Sequence, residues 1–292
     1  MASKGDALKG GEAVRPGALP AGCREAAVRA EAARQAEAMR AEEAIPVGLQ
    51  LYSVRGECAK DLPGTIAAVA RMGYRGVEFA GYHGRAARDL RKMLDDSGLV
   101  CCGTHIALET LLGDALGPTI EFNQVLGNRF LIVPSLAEKR RSSRKAWQET
   151  AALFNAVAAK VQPHGMRTGY HNHAIEFQPL EGEKPWDTFF GHTVRDVVMQ
   201  LDTGNAMHGG GDPVEFLKKY PGRATTVHLK PFSKAGPRAV IGEDDLPWPE
   251  IFRLCETVGG TEWYIVEYEA PGVPALEAVA RCLDTLRKLG RA

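Results

Sequence analysis

From residue 46 onward, short apolar runs alternate with longer stretches in which apolar residues recur every three or four positions. The runs are rich in β-branched and aromatic residues and short enough to be buried strands. They fall at 47–54, 76–79, 100–105, 129–133, 166–171, 197–201, 224–229 and 263–267. Between them, LPGTIAAVARMG, RAARDLRKMLDDSG, SRKAWQETAALFNAVAAKVQ, DPVEFLKKY, PWPEIFRLCETVG and PALEAVARCLDTLRKLG carry helical spacing. Several begin after Asp, Ser or Pro and several end at Gly, as helices do. GDALGPTIEFNQVLG and KPWDTFFGH are the weaker helix candidates after the third and fifth strands. Strict alternation predicts a parallel sheet with helices outside it. Eight units between residues 46 and 292 predict an α/β fold closed as a (β/α)8 TIM barrel, which typically takes roughly 250 residues. No G-x-G-x-x-G follows the first strand, which argues against a dinucleotide fold.

Residues 1–45 read differently. They open with Gly, Ala and Pro and pass into CREAAVRAEAARQAEAMRAEEA, with only scattered Val28 and Met39 as large apolar residues. An N-terminal extension, helical or disordered, is expected there, ahead of one barrel domain at 46–292. Acidic residues run through it, and it lacks the apolar centre of a secretory leader. Lysine plus arginine equals aspartate plus glutamate, 36 each, so no charge excess draws the chain to nucleic acid or acidic membranes. No run approaches the roughly 18 apolar residues of a membrane span. The six cysteines show no C-x-x-C spacing, and buried free thiols in a reducing, cytoplasmic setting are expected.

Four polar side chains stand at the ends of four successive strands: His171 in MRTGYHNH, Asp202 in VVMQLDTGN, His228 in ATTVHLK and Glu267 in WYIVEYE. In a barrel alternate residues point inward, and functional groups gather at the C-terminal mouth. Counting by twos aligns His171 with His173, Gln200 with Asp202, His228 with Lys230 and Glu267 with Glu269; earlier strands contribute Gln50 and Tyr52, Glu78, and His105. Buried charges persist only when paired or metal-bound, so two imidazoles and two carboxylates meeting at one mouth predict a divalent-metal site. That donor set suits Mn2+, Zn2+, Co2+ or Fe2+ better than Ca2+. Competing roles are a cap or Asx turn for Asp202, an internal ion pair for Glu78 and a carbonyl-bonded core position for His105.

VGLQLYSVR at 47–55, YRGVEFAGYHG at 74–84, THIAL at 104–108, GYHNHAIEF at 169–177, LDTGNAMHGGGDP at 201–213, TVHLK at 226–230 and VEYE at 266–269 together resemble the xylose isomerase-like TIM-barrel superfamily of sugar and sugar-phosphate isomerases, epimerases and dehydratases. The resemblance covers residues 46 to about 290. It implies a cation held by a Glu on strand 5, an Asp on strand 6, a His on strand 7 and a Glu on strand 8, frequently Mn2+, with Mg2+ a further choice. Asp202, His228 and Glu267 match, but His171-Asn172-His173 stands where Glu-Asn-His is usual. His171 then replaces the Glu as ligand with His173 deeper in the pocket, and the reverse assignment stays open.

The resemblance implies a carbohydrate substrate and an enediolate formed as a neighbouring C–H proton is removed. The family's epimerases resemble a two-base device with carboxylates on strands 5 and 8. With His171 in one of those places, Glu267 is the expected base, assisted by His105, His173 or Lys230, the last an acid if its pKa is lowered. An isomerase or epimerase is the first expectation and a lyase on a keto-sugar or keto-glycoside the second. Endonuclease-IV-type DNA repair, also a resemblance of this superfamily, needs three zinc ions, more histidines and a basic groove. A non-catalytic sugar-binding barrel would bind without turnover. Expected around the substrate are Glu78, Tyr52, Tyr82, Asn205, His208 and Lys234, the last with Arg238 on the long loop at 231–248, and His83, Trp186 and Trp248 are further candidates. Self-association as a homo-oligomer stays open at this level.

Overall fold

A computed structural model describes residues 44–292; the extension expected over 1–45 lies outside them except for its last two residues. Ile45–Ala292 is one compact unit, a closed barrel of eight parallel strands paired in chain order. The strands are β1 Val47–Gln50, β2 Gly76–Ala80, β3 Val100–His105, β4 Phe130–Val133, β5 Arg167–His171, β6 Val198–Asp202, β7 Thr226–Leu229 and β8 Trp263–Val266. Each falls on a predicted run, and the weaker helix candidates form Leu116–Leu126 and Pro185–His192. No described helix is long and apolar enough to cross a membrane.

Helix boundaries follow local chemistry. Asp61 accepts from Gly64 N ahead of Leu62–Met72, Ser143 from Ala146 N ahead of Arg144–Val161, and Asp212 from Val214 N ahead of Pro213–Lys219. Each supplies an acceptor for a backbone N–H that the first helical turn leaves unpaired.

Two departures from the sequence pattern shape the mouth. The first strand stops at Gln50 rather than running to residue 54, because Gln50 Oε1 accepts from Tyr52 N at 3.0 Å and turns the chain into a tight 3-10 turn, Leu51–Val54. Tyr52 therefore leaves the inward parity and stands 45% exposed at the rim. A bulge between Val77 and Glu78 pairs Val77 with Cys101 but Glu78 with Gly103. A Cβ on Gly103 would lie 2.3 Å from Glu78 Oε1, so glycine is what lets this carboxylate occupy the barrel axis.

Below that level Phe130, Ile132 and Val198, with Trp263 against them, form a separate apolar plug. A far larger apolar layer joins the outer strand faces to the helices. The interior is thus dry at the base and polar towards the mouth, as barrels that place chemistry at strand C-termini are.

Candidate metal centre and active site

His171 ends β5, Asp202 ends β6, His228 lies in β7 and Glu267 follows β8. One donor atom from each lies within 4.8 Å of every other. All four residues are buried. Asp202 does both things the sequence allowed: Oδ1 accepts from Asn205 N at 2.7 Å, capping Thr203–His208, while Oδ2 is buried without a hydrogen-bond partner. His171 Nδ1 is likewise buried and unpartnered. Two orphaned polar atoms on residues of one cluster carry a desolvation cost that a cation would remove, so these residues fit a metal ion.

Glu78 is the hub beneath. Its carboxylate is 0% exposed and accepts from Gln50 Nε2 at 2.7 Å, Gln200 Nε2 at 2.8 Å and His228 Nε2 at 2.6 Å, with His105 Nε2 at 3.1 Å. Because His228 Nε2–H donates to Glu78, Nδ1 is the nitrogen left facing Glu267 Oε2 at 2.6 Å and Asp202 Oδ2 at 3.9 Å. Carboxylates that orient a ligating imidazole in this way commonly change metal affinity 10- to 100-fold when lost. Glu78→Gln is accordingly expected to weaken cation binding by about 10- to 100-fold with the fold retained, read by titration with Mn2+ or Zn2+; unchanged affinity would remove Glu78 from this role.

In the cation-free protein His228 bridges Glu78 and Glu267 as an imidazolium, so a cation at Nδ1 would displace that proton. Burial alone would lower the His228 pKa, but Glu78 and Glu267 push it up to about 10. Burial also raises both carboxylates, yet His105 and His228 hold Glu78 below the usual carboxylate range, and His228 and Lys230 do the same for Glu267. Burial lifts Asp202 to about 7, with Glu267 adding to the rise and Lys230 opposing it. Burial and the neighbouring imidazoles His228 and His105 keep His171 well below the usual histidine value, hence neutral with a lone pair to offer.

Lys230 departs from expectation. Burial acts to lower it, but Asp202, Glu267 and Glu269 raise it above the usual lysine range. Its Nζ donates to Glu267 Oε1 at 3.0 Å and also pairs with Glu269. It is a charge-balancing ammonium rather than a proton donor of lowered pKa.

A cavity of about 590 Å³ opens above the four donors, walled by Gln50, Tyr52, His105, Glu109, His171, His173, Glu267 and Glu269 among others. His173 is exposed, not deeper than His171, because β5 ends at His171 and Glu176 Oε2 accepts from His173 N at 2.7 Å to turn the chain outward. His105 lies on the wall with Nε2 tied to Gln200 Oε1 at 2.7 Å.

Other candidates lie elsewhere. Glu78 is under the floor. Asn205 holds Asp202 and, through Nδ2, Asn172 O at 3.2 Å. Tyr82 OH donates to Asn123 Oδ1 at 3.1 Å with its ring on Phe122. His208 is tied to Gly204 O and packs on Phe232. His83 is exposed and absent from the cavity wall. Lys234 and Arg238 are exposed, and the loop bearing them is pinned by Asp244 accepting from Phe232 N and Trp248 Nε1, and by Asp245 accepting from Lys234 N, not folded over the cavity. Trp186 and Trp248 are core residues.

Sequence reasoning missed Glu109 on the wall and Asn172, whose side chain joins β5 to β6 by donating to Asp202 O at 3.0 Å and accepting from Asp202 N at 2.8 Å. Its place between two histidines was the available signal.

Residues 66–289 match the family model described as xylose isomerase-like TIM barrel. The chain belongs to that family. Among curated proteins it is 24% identical to an inosose dehydratase of Erwinia tasmaniensis, over 70% of this chain and 81% of that one. Among solved structures it superposes on a sugar phosphate isomerase/epimerase from Parabacteroides distasonis at a TM-score of 0.72 and 26% identity, over 85% of this chain and 94% of the other. A probable 3-DHS dehydratase from Bacillus anthracis shares the fold, with TM-score 0.61, 15% identity and coverage of 83% and 99%.

Proposed function

We propose that this protein is a divalent-cation-dependent enzyme that removes the proton next to the carbonyl of a keto-sugar, giving an enediolate, and then expels a neighbouring hydroxyl as water. The observation that carries this reading is the four-donor cluster with two orphaned buried atoms, set at the floor of a cavity whose wall carries the ionised Glu267. His171, Asp202, His228 and Glu267 would hold the cation, Mn2+ first among those that suit two nitrogens and two oxygens; bound there, it polarises the carbonyl and adjacent hydroxyl and makes the C–H bond more acidic.

The chain's own groups supply the rest. Glu267 accepts the proton. Lys230, anchored on Glu267 and Glu269, balances the charge of that edge. His173, on the β5 side of the mouth, donates a proton to the departing hydroxyl. Tyr52, backed by the Arg55 guanidinium at 4.2 Å, offers an exposed ring face on which a sugar can lie.

Elimination is favoured over epimerisation by the asymmetry of the walls. An exchange between two carboxylates would need one on each side of the reacting carbon, whereas here β5 presents His171 and His173 and β8 presents Glu267 and Glu269. The dehydratase name of the Erwinia relative points the same way. Isomerisation is the second reading, supported by the name of the Parabacteroides protein. Among the described residues the wall of the main cavity carries no Lys or Arg, which disfavours a nucleic-acid substrate, as that needs cationic contacts. The five cysteines among the described residues are free and buried, which supports a reducing, cytoplasmic setting.

Incubating the Mn2+-loaded protein with cyclic and open-chain polyhydroxyketones in D2O tests the reaction. Water loss with a near-ultraviolet enone supports the lyase, solvent deuterium without water loss supports the isomerase, and neither over the whole panel rejects both. Lys230→Ala is expected to keep its cation and lose most activity, checked by metal analysis beside the same assay.

A further inference from the structure

A second hollow of about 250 Å³ adjoins the mouth cavity, with Ser135 and His173 in the walls of both. Taking the mouth cavity as the substrate site, as above, we propose that this hollow is a subsite for an anionic group of the substrate, a carboxylate or a phosphate, gripped by Arg141.

Among the described residues, Arg141 is the only Lys or Arg in the wall of either hollow; the charged wall of the main cavity is acidic, from Glu109, Glu267 and Glu269. Its guanidinium is half-buried and fixed at one point, Nε donating to Leu136 O at 3.0 Å. Among the described residues no carboxylate pairs with it and its two terminal nitrogens make no hydrogen bond, whereas nearby Arg144 pairs with Glu183 at 3.1 Å. Glu176, the carboxylate in the same hollow, is engaged otherwise, accepting from Tyr170 OH and His173 N at 2.7 Å each.

Neither terminal nitrogen is buried without a partner, so an anion entering the hollow would take the place of water on them. The two unengaged terminal NH2 groups of a planar fork match a carboxylate or phosphate oxygen pair. His173 stands between the hollows, so a substrate would present its reacting carbon on one side of that ring and its anion on the other.

The test is binding, not turnover, so a failed reaction assay leaves it intact. Saturation-transfer NMR and calorimetry on the full chain would compare D-glucuronate, D-glucose 6-phosphate and D-glucose as probes, with Arg141→Gln alongside wild type. We expect an anionic probe to bind more tightly than glucose, to weaken as salt rises, and to lose roughly 10- to 100-fold in Arg141→Gln, the range for losing a charge-assisted hydrogen bond. Glucose binding should be unchanged in that variant and serves as its fold control. Which anion shows the preference distinguishes carboxylate from phosphate. Equal binding of all three probes by wild type, absence of a salt effect, or an equal loss for glucose in the variant would each overturn the subsite. If Arg141→Gln does not fold, the wild-type preference and its salt dependence decide.

Discussion

Asp202→Asn is expected to abolish cation retention, with affinity falling at least about 100-fold, as for removal of a full ligand charge beyond the 10- to 100-fold seen for outer partners. Asparagine keeps the oxygen that caps Thr203–His208, where Asp202 Oδ1 accepts from Asn205 N, but removes the charge from the orphaned Oδ2 position. Metal analysis after dialysis reads the loss directly; full occupancy in this variant would remove Asp202 from the ligand set.

The same substitution should stabilise the cation-free protein at alkaline pH. Burial lifts the Asp202 pKa from its ordinary 3.8 to about 7, with Lys230 opposing and Glu267 adding to the rise. Between those values the folded state holds a proton that the unfolded chain has released, so stability falls as pH rises through the window and stays low above it. Asparagine carries no such penalty. Thermal melts at pH 8 in a chelator should therefore place Asp202→Asn above wild type, a gap that closes near pH 4; a variant melting below wild type at pH 8 would contradict the assigned cost of the unpaired carboxylate.

Glu267→Gln is expected to lower kcat by about 10²–10⁴, the usual contribution of a positioned general base. The amide keeps one oxygen for a cation but cannot accept a proton. Glu267 also receives Lys230 Nζ at 3.0 Å and faces His228 Nδ1 at 2.6 Å, so cation affinity should fall as well, and assays need saturating Mn2+. The decisive readout is exchange of the substrate's α-proton with D2O under those conditions. Undiminished exchange in a folded, cation-loaded Glu267→Gln protein would assign the base elsewhere on the wall, with His173 first in line.

The two effects are separable because the donors do different work. Asp202 contributes charge to the site from a position sealed under the cavity, and Glu267 also reaches the cavity surface. Losing the first is expected to empty the site; losing the second is expected to leave a site that holds a cation and transfers the proton far more slowly.

The sequence alone determined the eight-stranded alternation and which four residues gather at one mouth, because strand period and strand-end position are local properties of the chain. A residue at the end of a buried run faces the mouth of any parallel barrel, whatever the loops do, so His171, Asp202, His228 and Glu267 were legible one by one. Only tertiary structure decided depth and partnership. Two residues of equal parity, His171 and His173, part company because Glu176 turns the chain between them, and Tyr52 reaches the rim because Gln50 ends its strand early. Glu78 changed from a wall residue to the hub under the floor because a bulge and Gly103 open the axis to it, and Lys230 became a paired ammonium because Glu267 and Glu269 meet it from the next strand. The Glu78 and Lys230 outcomes depend on residues distant along the chain, the Tyr52 and His173 outcomes on side-chain-to-backbone hydrogen bonds within one turn, and hydrophobic periodicity carries no information about either.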